Sequence, residues 1–441
     1  MNYNNYLRWF ILFVVSIIMA SSYFFYDVMA PLQSLLREKL NFTNTEYGFL
    51  MAVYSIPNLF MTIIGGIFLD RFGIRITGLL FIFLMTIGAF FTYYGTTEYF
   101  INGGIGYELF SSFLTNYTPS FKIMVFGFFL FGLGAETSIV VITKIIIEWF
   151  KNRALALALG INISLARLGT VAALFFSREF SEKYYWNYSI FIGMLLMILG
   201  FILFLIYSIL DKKYFATYTN NITAEEEKFK LQDIKKIIKI PAFIYITLLC
   251  VTFYSAVFAF LKYAPDYLTN QFNIDNVISG KLVSILPFGT IIFTPLFGLF
   301  TDYKGKSASA MFFGSFMLFI VYFSLLFLKI YPLVPLFILG ISFSLIPAAM
   351  WPSVTKIIKE KNLGTAYGIM FAIQNTGIFI FIFLIGKVID LTNPSIKNIK
   401  IDYTYGLVIL FCLSILAFIF SFLLKRTDKI KNIGLEKPNK I

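Results

Sequence analysis

The chain has 441 residues, of which 59% are hydrophobic, 20% aromatic and 13% charged. A water-soluble protein of this length needs a larger polar share to cover its surface, so the composition argues against a soluble protein. The formal net charge of +13 would suit a nucleic-acid partner in a soluble chain. In a membrane protein the same excess marks cytoplasmic loops, which are rich in Lys and Arg, so no nucleic-acid partner is expected.

The apolar residues fall into runs of roughly 20 residues, the length at which a helix crosses about 30 Å of hydrocarbon. These runs predict an all-α membrane protein with twelve transmembrane helices, near 7–30, 47–68, 76–96, 122–147, 154–177, 187–210, 242–268, 279–300, 307–328, 333–357, 363–388 and 403–424. Twelve spans put both termini on one side. Roughly 23 Lys and Arg lie on that side and about 10 on the other, so both termini are predicted to be cytoplasmic.

The spans group into two predicted halves with a linker and a tail. The predicted boundaries are residues 1–210 for the first six-helix half, 211–241 for the linker, 242–426 for the second half and 427–441 for a cytoplasmic tail. The basic tail is predicted to be loosely attached.

The end of the linker, roughly residues 224–239, has helical spacing of Leu231, Ile234, Ile237 and Ile238. This spacing predicts an amphipathic helix at the membrane surface. A solvated linker is the alternative.

The two halves repeat each other in sequence. The loop after span two contains Gly66, Asp70, Arg71, Gly73 and Arg75, and the loop after span eight repeats the pattern as Gly298, Asp302, Gly305 and Lys306. A second repeat aligns residues 160–169 of span five with residues 368–377 of span eleven. Two such repeats indicate an internal duplication, as in transporters that rock around a central site.

The pattern Gly-x-x-x-Asp-Arg-x-Gly-x-Arg between spans two and three is similar to the signature loop of the major facilitator superfamily. This resemblance implies the major facilitator fold and a latch that holds one side of the transporter shut. The glycines permit tight turns and close helix approach. Asp70 is expected to accept hydrogen bonds from a helix N-terminus, and Arg71 and Arg75 to pair with acidic groups. Asp302, Gly305 and Lys306 are the predicted second latch.

Glu136 and Arg167 are the most informative charges inside predicted spans. Such charges are costly in a bilayer and need a partner or a wet cavity. Spans four and five are joined by a short loop, and both residues lie roughly 23 Å from it at about 1.5 Å per residue. They are therefore predicted at matching depth, where a carboxylate and a guanidinium can hold a zwitterion. A salt bridge between the two is the alternative.

Further candidates for substrate contact are polar or aromatic residues at similar depth. They are Tyr26 and Asp27 in span one, Tyr54 in span two, Tyr254 in span seven, Trp351 in span ten, and Gln374 and Asn375 in span eleven. Trp351 precedes Pro352 and follows Pro347, so span ten is predicted to be kinked or locally broken there. For Asp27 an interfacial position is the alternative, and for the aromatic residues it is core packing or lipid contact.

Several segments together resemble a dipeptide-transporting branch of the superfamily. They include residues 22–27, 54–58, 65–75, 134–138, 166–169 and 363–368. The resemblance implies dipeptide transport, with Glu136 and Arg167 at the two peptide termini. The short N-terminal segment and a composition that suits an AT-rich prokaryotic genome predict a location in the plasma (inner) membrane.

We therefore expect a transporter that works by alternating access on dipeptides or similar small zwitterions. An organic-anion carrier in which Arg167 binds the anion is one alternative, and a non-transporting receptor or scaffold is another. No nucleophile–base pair or metal-ligand cluster is found, so neither an enzyme nor a cofactor or metal site is expected. The expected partners are the small-molecule substrate and the lipid bilayer, with a monomeric transporter and no accessory subunit implied.

Overall fold

The computed structural model describes residues 5–151, 154–215, 236–394 and 400–438. Within those ranges every regular element is helical. The α-helices of the described chain are α1 Asn5–Asp27, α2 Gln33–Leu40, α3 Asn44–Ala52, α4 Ser55–Tyr94, α5 Glu98–Ile101, α6 Tyr107–Ser111, α7 Pro119–Phe150, α8 Leu155–Lys183, α9 Tyr188–Phe215, α10 Pro241–Phe272, α11 Asn276–Val283, α12 Ile285–Lys304, α13 Ser307–Phe323, α14 Leu333–Ile357, α15 Leu363–Thr392 and α16 Thr404–Lys431. Most of the predicted amphipathic segment of the linker lies outside the described residues.

By length and hydropathy, eleven helical stretches of the described chain can cross a membrane. Twelve transmembrane helices were predicted, and the count is one lower because of α4. This helix is 40 residues long and contains parts of predicted spans two and three in one continuous element. Gly73 separates them with φ of 74° and ψ of 174°, a conformation that only glycine adopts readily. Helix α3 and the first part of α4 are span two, and the rest of α4 is span three. The predicted all-α architecture of twelve spans in two halves is confirmed.

The chain divides into two compact units. Unit 1 comprises Met1–Phe42 and Phe49–Glu226, and unit 2 comprises Thr43–Gly48 and Glu227–Ile441. The short segment Thr43–Gly48 therefore packs with the second half of the chain although its sequence neighbours belong to the first.

In unit 1, α4 packs closely along α7 because small residues face each other. A Cβ on Gly88 would lie 2.4 Å from the backbone N of Phe131, and a Cβ on Gly127 would lie 2.5 Å from the backbone N of Thr92. Helices α1 and α8 approach in the same way, since a Cβ on Gly169 would lie 2.1 Å from the carbonyl O of Ala20. Small residues at such contacts are how membrane helices gain van der Waals packing.

Gly88→Ala is expected to destabilise the protein by about 1–3 kcal/mol, because its new methyl group meets backbone atoms that cannot move aside cheaply. Gly160→Ala in α8 is the matched control, since a Cβ there has no neighbour within 4 Å. The midpoint of unfolding in detergent measures both. Equal midpoints for the two variants would contradict the close approach of α4 and α7.

In unit 2, α10 lies at the centre and is fixed by buried tyrosines. The hydroxyl of Tyr322 donates to the carbonyl O of Ala256 over 2.8 Å, and the hydroxyl of Tyr263 donates to the carbonyl O of Ile382 over 2.8 Å. Tyr47, from the segment that joins this unit, donates to the carbonyl O of Lys262 over 2.7 Å. Each bond satisfies a hydroxyl that would otherwise be costly to bury.

Asp390, near the C-terminus of α15, caps the first turn of α3 within unit 2. Its Oδ1 accepts from the backbone N and the Nδ2 of Asn44 over 3.0 and 2.9 Å. Its Oδ2 accepts from the backbone N and the Oγ1 of Thr45 over 2.6 and 2.5 Å. A carboxylate at a helix N-terminus satisfies open N–H donors and interacts favourably with the helix dipole.

Asp390→Asn is expected to weaken this cap by about 1–2 kcal/mol, because the amide lacks the charge and one of the acceptor oxygens. Backbone hydrogen exchange at Asn44 and Thr45 should become roughly 5- to 30-fold faster. Asp402→Asn is the control, since Asp402 caps Thr404 in a local turn of the same unit. Unchanged exchange in the Asp390 variant would show that the carboxylate does not hold the segment.

Candidate functional site

Glu136 and Arg167 lie on the two helices that the sequence predicted to form a hairpin. Thr118 is the N-cap residue of α7, and its Oγ1 accepts from the backbone N of Phe121 over 3.2 Å. Pro119 occupies the first helical position. Helix α8 begins after its N-cap residue Ala154, which has φ of 54°. Both charged side chains are half-buried.

Neutral side chains contact each of the two charges. The Oε1 of Glu136 accepts from the Nδ2 of Asn58 over 3.3 Å. The guanidinium carbon of Arg167 lies 5.6 Å from the ring centre of Tyr23, close enough for a cation–π interaction. Tyr23 lies near Glu136 and Asp27 as well as Arg167. Helix α1 thus brings one aromatic side chain to both charges.

The alternative of a direct salt bridge is not what the described side chains form. The ion pairs among the described residues of unit 1 include Arg75 with Asp211 and Arg178 with Glu182, but none joins Glu136 to Arg167. The carboxylate and the guanidinium therefore share a neighbourhood without binding each other. Their equal depth in the membrane stays a prediction.

An aromatic group borders this cluster in unit 1. The rings of Tyr26 and Tyr54 lie 4.5 Å apart, and Tyr54 also packs on Phe131 with ring centres 5.7 Å apart. Asp27 is buried, and its Oδ2 accepts from the Oγ1 of Thr170 in α8 over 2.8 Å. The structure therefore collects Tyr26, Asp27 and Tyr54 near the two charges, and it does not place Asp27 at an exposed interface.

Unit 2 carries a second group, made of aromatic and amide side chains. The Nε1 of Trp351 donates to the hydroxyl of Tyr254 over 3.0 Å, and its ring stacks on Phe371 with ring centres 4.7 Å apart. The Sγ of Cys250 donates to the Oε1 of Gln374 over 3.4 Å, and the Nδ2 of Asn375 donates to the carbonyl O of Phe371 over 3.0 Å. The four predicted residues of this half thus lie on neighbouring turns of α10, α14 and α15.

Of the predicted kink or local break at Trp351, the break is wrong, and the kink stays a prediction. Helix α14 runs without interruption from Leu333 to Ile357 and keeps Pro347 and Pro352 inside it. The hydroxyl of Tyr367 in α15 donates to the carbonyl O of Trp351 over 3.1 Å, which ties the two helices together at this level. Prolines are tolerated in membrane helices when neighbouring groups satisfy the backbone groups that they free.

The first latch loop differs in part from its prediction. Arg75 pairs with an acidic group, with its Nε 3.2 Å from the Oδ2 of Asp211. Asp70 pairs with Lys144 of α7, whose Nζ lies 3.6 Å from its Oδ1, and not with the helix N-terminus that was expected. Arg71 lies over the ring of Phe72 at 5.4 Å. Gly66 has room for a Cβ, so among the loop glycines only Gly73 is required by its φ.

The second latch loop is tied to the C-terminal residues of the chain. Asp302 lies in the last turn of α12, Gly305 has φ of 72°, and Lys306 has φ of 58°. The backbone N of Lys306 donates to the carbonyl O of Glu436 over 3.0 Å. The tail was predicted to be loose, but its residues 435–438 pack on this loop.

Sequence reasoning missed Tyr23, Asn58 and Thr170 as members of the unit 1 cluster. Each is a common residue type in an apolar helix, and only its tertiary contact gives it a role. The spacing of Tyr54 and Asn58, four residues apart on one helix face, was the signal available for Asn58.

Comparison with known proteins supports this architecture. The family model of the Major Facilitator Superfamily matches residues 12–382. The human lysosomal dipeptide transporter MFSD1 is 29% identical over 397 residues, covering 87% of this chain and 80% of that protein. Its mouse counterpart is 30% identical over 383 residues, covering 84% and 77%.

Solved structures share the fold at low sequence identity. The nucleoside transporter NupG superposes with a TM-score of 0.71 at 15% identity, covering 94% of this chain and 99% of its own. A bacterial homolog of the human lysosomal transporter Spinster, in an inward-facing and occupied conformation, gives 0.70 at 14% identity, covering 96% and 98%. The family match extends across both duplicated halves and over most of the sequence. The chain therefore belongs to the Major Facilitator Superfamily of membrane transporters.

Proposed function

We propose that this protein transports dipeptides or similar small zwitterions by alternating access. In this proposal Glu136 binds the substrate's ammonium group and Arg167 binds its carboxylate. The observation that carries it is that the two opposite charges share a neighbourhood around Tyr23 while Glu136 is hydrogen-bonded to Asn58 and not paired with Arg167.

The electrostatics of the cluster favour a ligand that carries both charges. A carboxylate and a guanidinium inside a bilayer each require compensation, and a zwitterion supplies the opposite charge to each of them at once. The guanidinium presents a fork of donors that matches a carboxylate in two parallel hydrogen bonds. The hydrogen bond from Asn58 orients the Glu136 carboxylate without neutralising it, which leaves its charge for an ammonium group.

The length of the ligand is the second part of the proposal. An extended chain spans at most about 3.3–3.6 Å per residue, so a dipeptide holds its terminal charges farther apart than a single amino acid does. Two charges on separate helices, each fixed by its own neighbours, select one separation between the ligand's ends. The human and mouse relatives are named as dipeptide transporters, which supports the same substrate length.

A thermal-shift screen of the purified protein, followed by uptake into proteoliposomes, tests the proposal. Dipeptides are expected to stabilise the protein and to be taken up, whereas single amino acids and tripeptides of the same side chains should do so weakly. A dipeptide without a terminal charge, N-acetylated and C-amidated, serves as the control. Equal effects from the capped and the free dipeptide would contradict the proposal.

An organic-anion carrier is the second candidate. The observation that favours it is the hydrogen bond between Asn58 and Glu136, which would let Glu136 act as a structural group while Arg167 alone binds an anion. Oxalate, formate and lactate in the same uptake assay separate the two. Uptake of these acids without uptake of dipeptides would replace the zwitterion proposal.

The location that we propose is the plasma (inner) membrane, with both termini in the cytoplasm. The excess of Lys and Arg in the loops on the side of the termini supports this orientation. The transporter is taken to act as a monomer without an accessory subunit. Protease protection of a C-terminal tag in inside-out vesicles would contradict the orientation.

A further inference from the structure

A cavity of ≈ 580 Å³ lies at the C-terminal end of α16, where residues 432–437 fold back beside the helix. The cavity is lined by four basic side chains and one aromatic ring, among other residues: Lys425, Arg426, Lys429, Lys437 and Phe422. This surface, called here the tail cavity, lies wholly within unit 2 and shares no residue with the latch motif or with the clusters described above.

The two acidic side chains in the wall of the tail cavity accept hydrogen bonds from the protein itself. The Oδ1 of Asp428 accepts from the backbone N of Gly434 and of Leu435, both over 2.9 Å. The Oε1 of Glu436 accepts from the backbone N and the Oγ of Ser309 over 2.7 and 2.9 Å. These bonds hold the C-terminal segment in place, and they direct both carboxylates to backbone donors. The four cations outnumber the two carboxylates, so the cavity wall keeps a net positive charge.

The wall residues that α16 contributes follow its helical periodicity. Phe422, Lys425, Arg426 and Lys429 recur at intervals of three or four residues, so they form one stripe on the helix. Toward the middle of the helix the stripe continues through exposed apolar side chains, with Ile419 at 43% and Phe422 at 50% exposure. The stripe thus changes from apolar to basic within two turns, as a helix does where it leaves the hydrocarbon for the headgroup layer.

We propose that the tail cavity binds the phosphate headgroup of an anionic phospholipid. Arg426 presents donors that match two phosphate oxygens, and Lys425, Lys429 and Lys437 add positive charge around it. Ile419 and Phe422 contact the acyl chain of the same lipid. Basic pockets beside membrane helices bind such headgroups by this combination of charge and apolar contact.

Occupancy of the tail cavity stabilises the second latch loop. The carbonyl oxygens of Leu435 and Glu436 accept from the backbone N of Ser307 and Lys306 over 3.1 and 3.0 Å, at the start of α13. The Nζ of Lys356 in α14 donates to the carbonyl O of Lys437 over 2.6 Å. A lipid that bridges α16 and Lys437 therefore fixes the segment that caps α13 and borders Gly305. The inference is independent of the substrate.

The test compares the protein in nanodiscs of phosphatidylcholine with and without phosphatidylglycerol. Phosphatidylglycerol is expected to raise the unfolding midpoint of the unchanged protein by about 2–4 °C, as a ligand that binds the folded state does. A variant with Lys425→Gln, Arg426→Gln and Lys429→Gln should lose this shift, and native mass spectrometry should show the loss of a retained phosphatidylglycerol. An undiminished shift in this variant overturns the proposal. Arg426→Gln alone, with a partial loss expected, serves if the triple variant does not fold.

A control variant removes the same number of charges from the same unit outside the cavity, with Lys304→Gln, Lys359→Gln and Lys431→Gln. This control variant should keep the full increase of the unfolding midpoint with phosphatidylglycerol. If it also lost the increase, the effect would come from general charge, and the proposed site would be overturned. Inorganic phosphate added to phosphatidylcholine nanodiscs distinguishes the source of the anion. A midpoint shift with phosphate equal to that with phosphatidylglycerol would overturn the assignment to a lipid.

Discussion

Arg167→Ala is expected to weaken the binding of a free dipeptide by roughly 30-fold to several thousand-fold and to abolish its uptake. Truncating one partner of a desolvated, hydrogen-bonded charge pair costs about 2–5 kcal/mol, and every 1.4 kcal/mol is tenfold in affinity. Arg167 lies on α8 with its guanidinium over the ring of Tyr23. Arg167→Lys should lose less, because it keeps the charge and loses only the paired donors.

The measurement is a titration of the purified variants with one dipeptide in its free and its C-amidated form. The amidated form lacks the carboxylate, so its weak binding should be the same for the unchanged protein and for Arg167→Ala. Lys183→Ala, which removes a cation from the C-terminal end of the same helix, should bind the free dipeptide as the unchanged protein does. A similar loss in the Lys183 variant would mean that general charge, and not a specific contact, attracts the substrate.

The residues of the candidate site divide by how costly they are in a membrane. Glu136 and Arg167 could be predicted from sequence because an ionised side chain in an apolar run needs a reason to be there. Tyr23 and Asn58 could not, because tyrosine and asparagine are tolerated in membrane helices on many faces. Their roles depend on which helix lies opposite. The spacing of Tyr54 and Asn58 indicates a shared helix face but not what that face meets.

The features of the fold also fall into those that the sequence predicts and those that depend on tertiary contacts. Spans were predictable because their length is set by the bilayer, and the duplication was predictable from paired loop motifs. The local break predicted at Trp351 is absent, since α14 continues through Pro347 and Pro352. Whether a proline interrupts a membrane helix depends on what satisfies the freed backbone groups, and the local sequence does not show that. The prediction of a loosely attached tail was also wrong. The tail packs because Glu436 and Asp428 accept hydrogen bonds from backbone N–H groups that come near only in the folded unit.

The capping of α3 by Asp390 was unforeseen for the same reason. The aspartate lies about 345 residues from Thr45 in sequence, and neither segment contains a motif that points to the other. Its consequence is that Thr43–Gly48 packs with unit 2 while the adjoining chain packs with unit 1. A boundary between the halves that is drawn from the sequence, at a linker, does not reveal that Thr43–Gly48 belongs to unit 2.

Glu136→Gln is expected to remove the preference for a free amino terminus. The glutamine keeps the size of the side chain and can still accept the hydrogen bond from Asn58, so the fold and the unfolding midpoint without ligand should change little. The ammonium group of a dipeptide loses its charged acceptor, which should weaken binding by about 2 kcal/mol or more, roughly 30-fold at least.

The N-acetylated dipeptide distinguishes this role from a general loss of the cavity. It carries a carboxylate but no ammonium group, so the unchanged protein and Glu136→Gln should bind it with the same affinity. Glu148→Gln, near the C-terminal end of the same helix, should leave both ligands unaffected. If Glu136→Gln weakened the acetylated and the free dipeptide equally, Glu136 would act as a structural group. Arg167 would then be the only charged contact, and the organic-anion candidate would become the better account of this transporter.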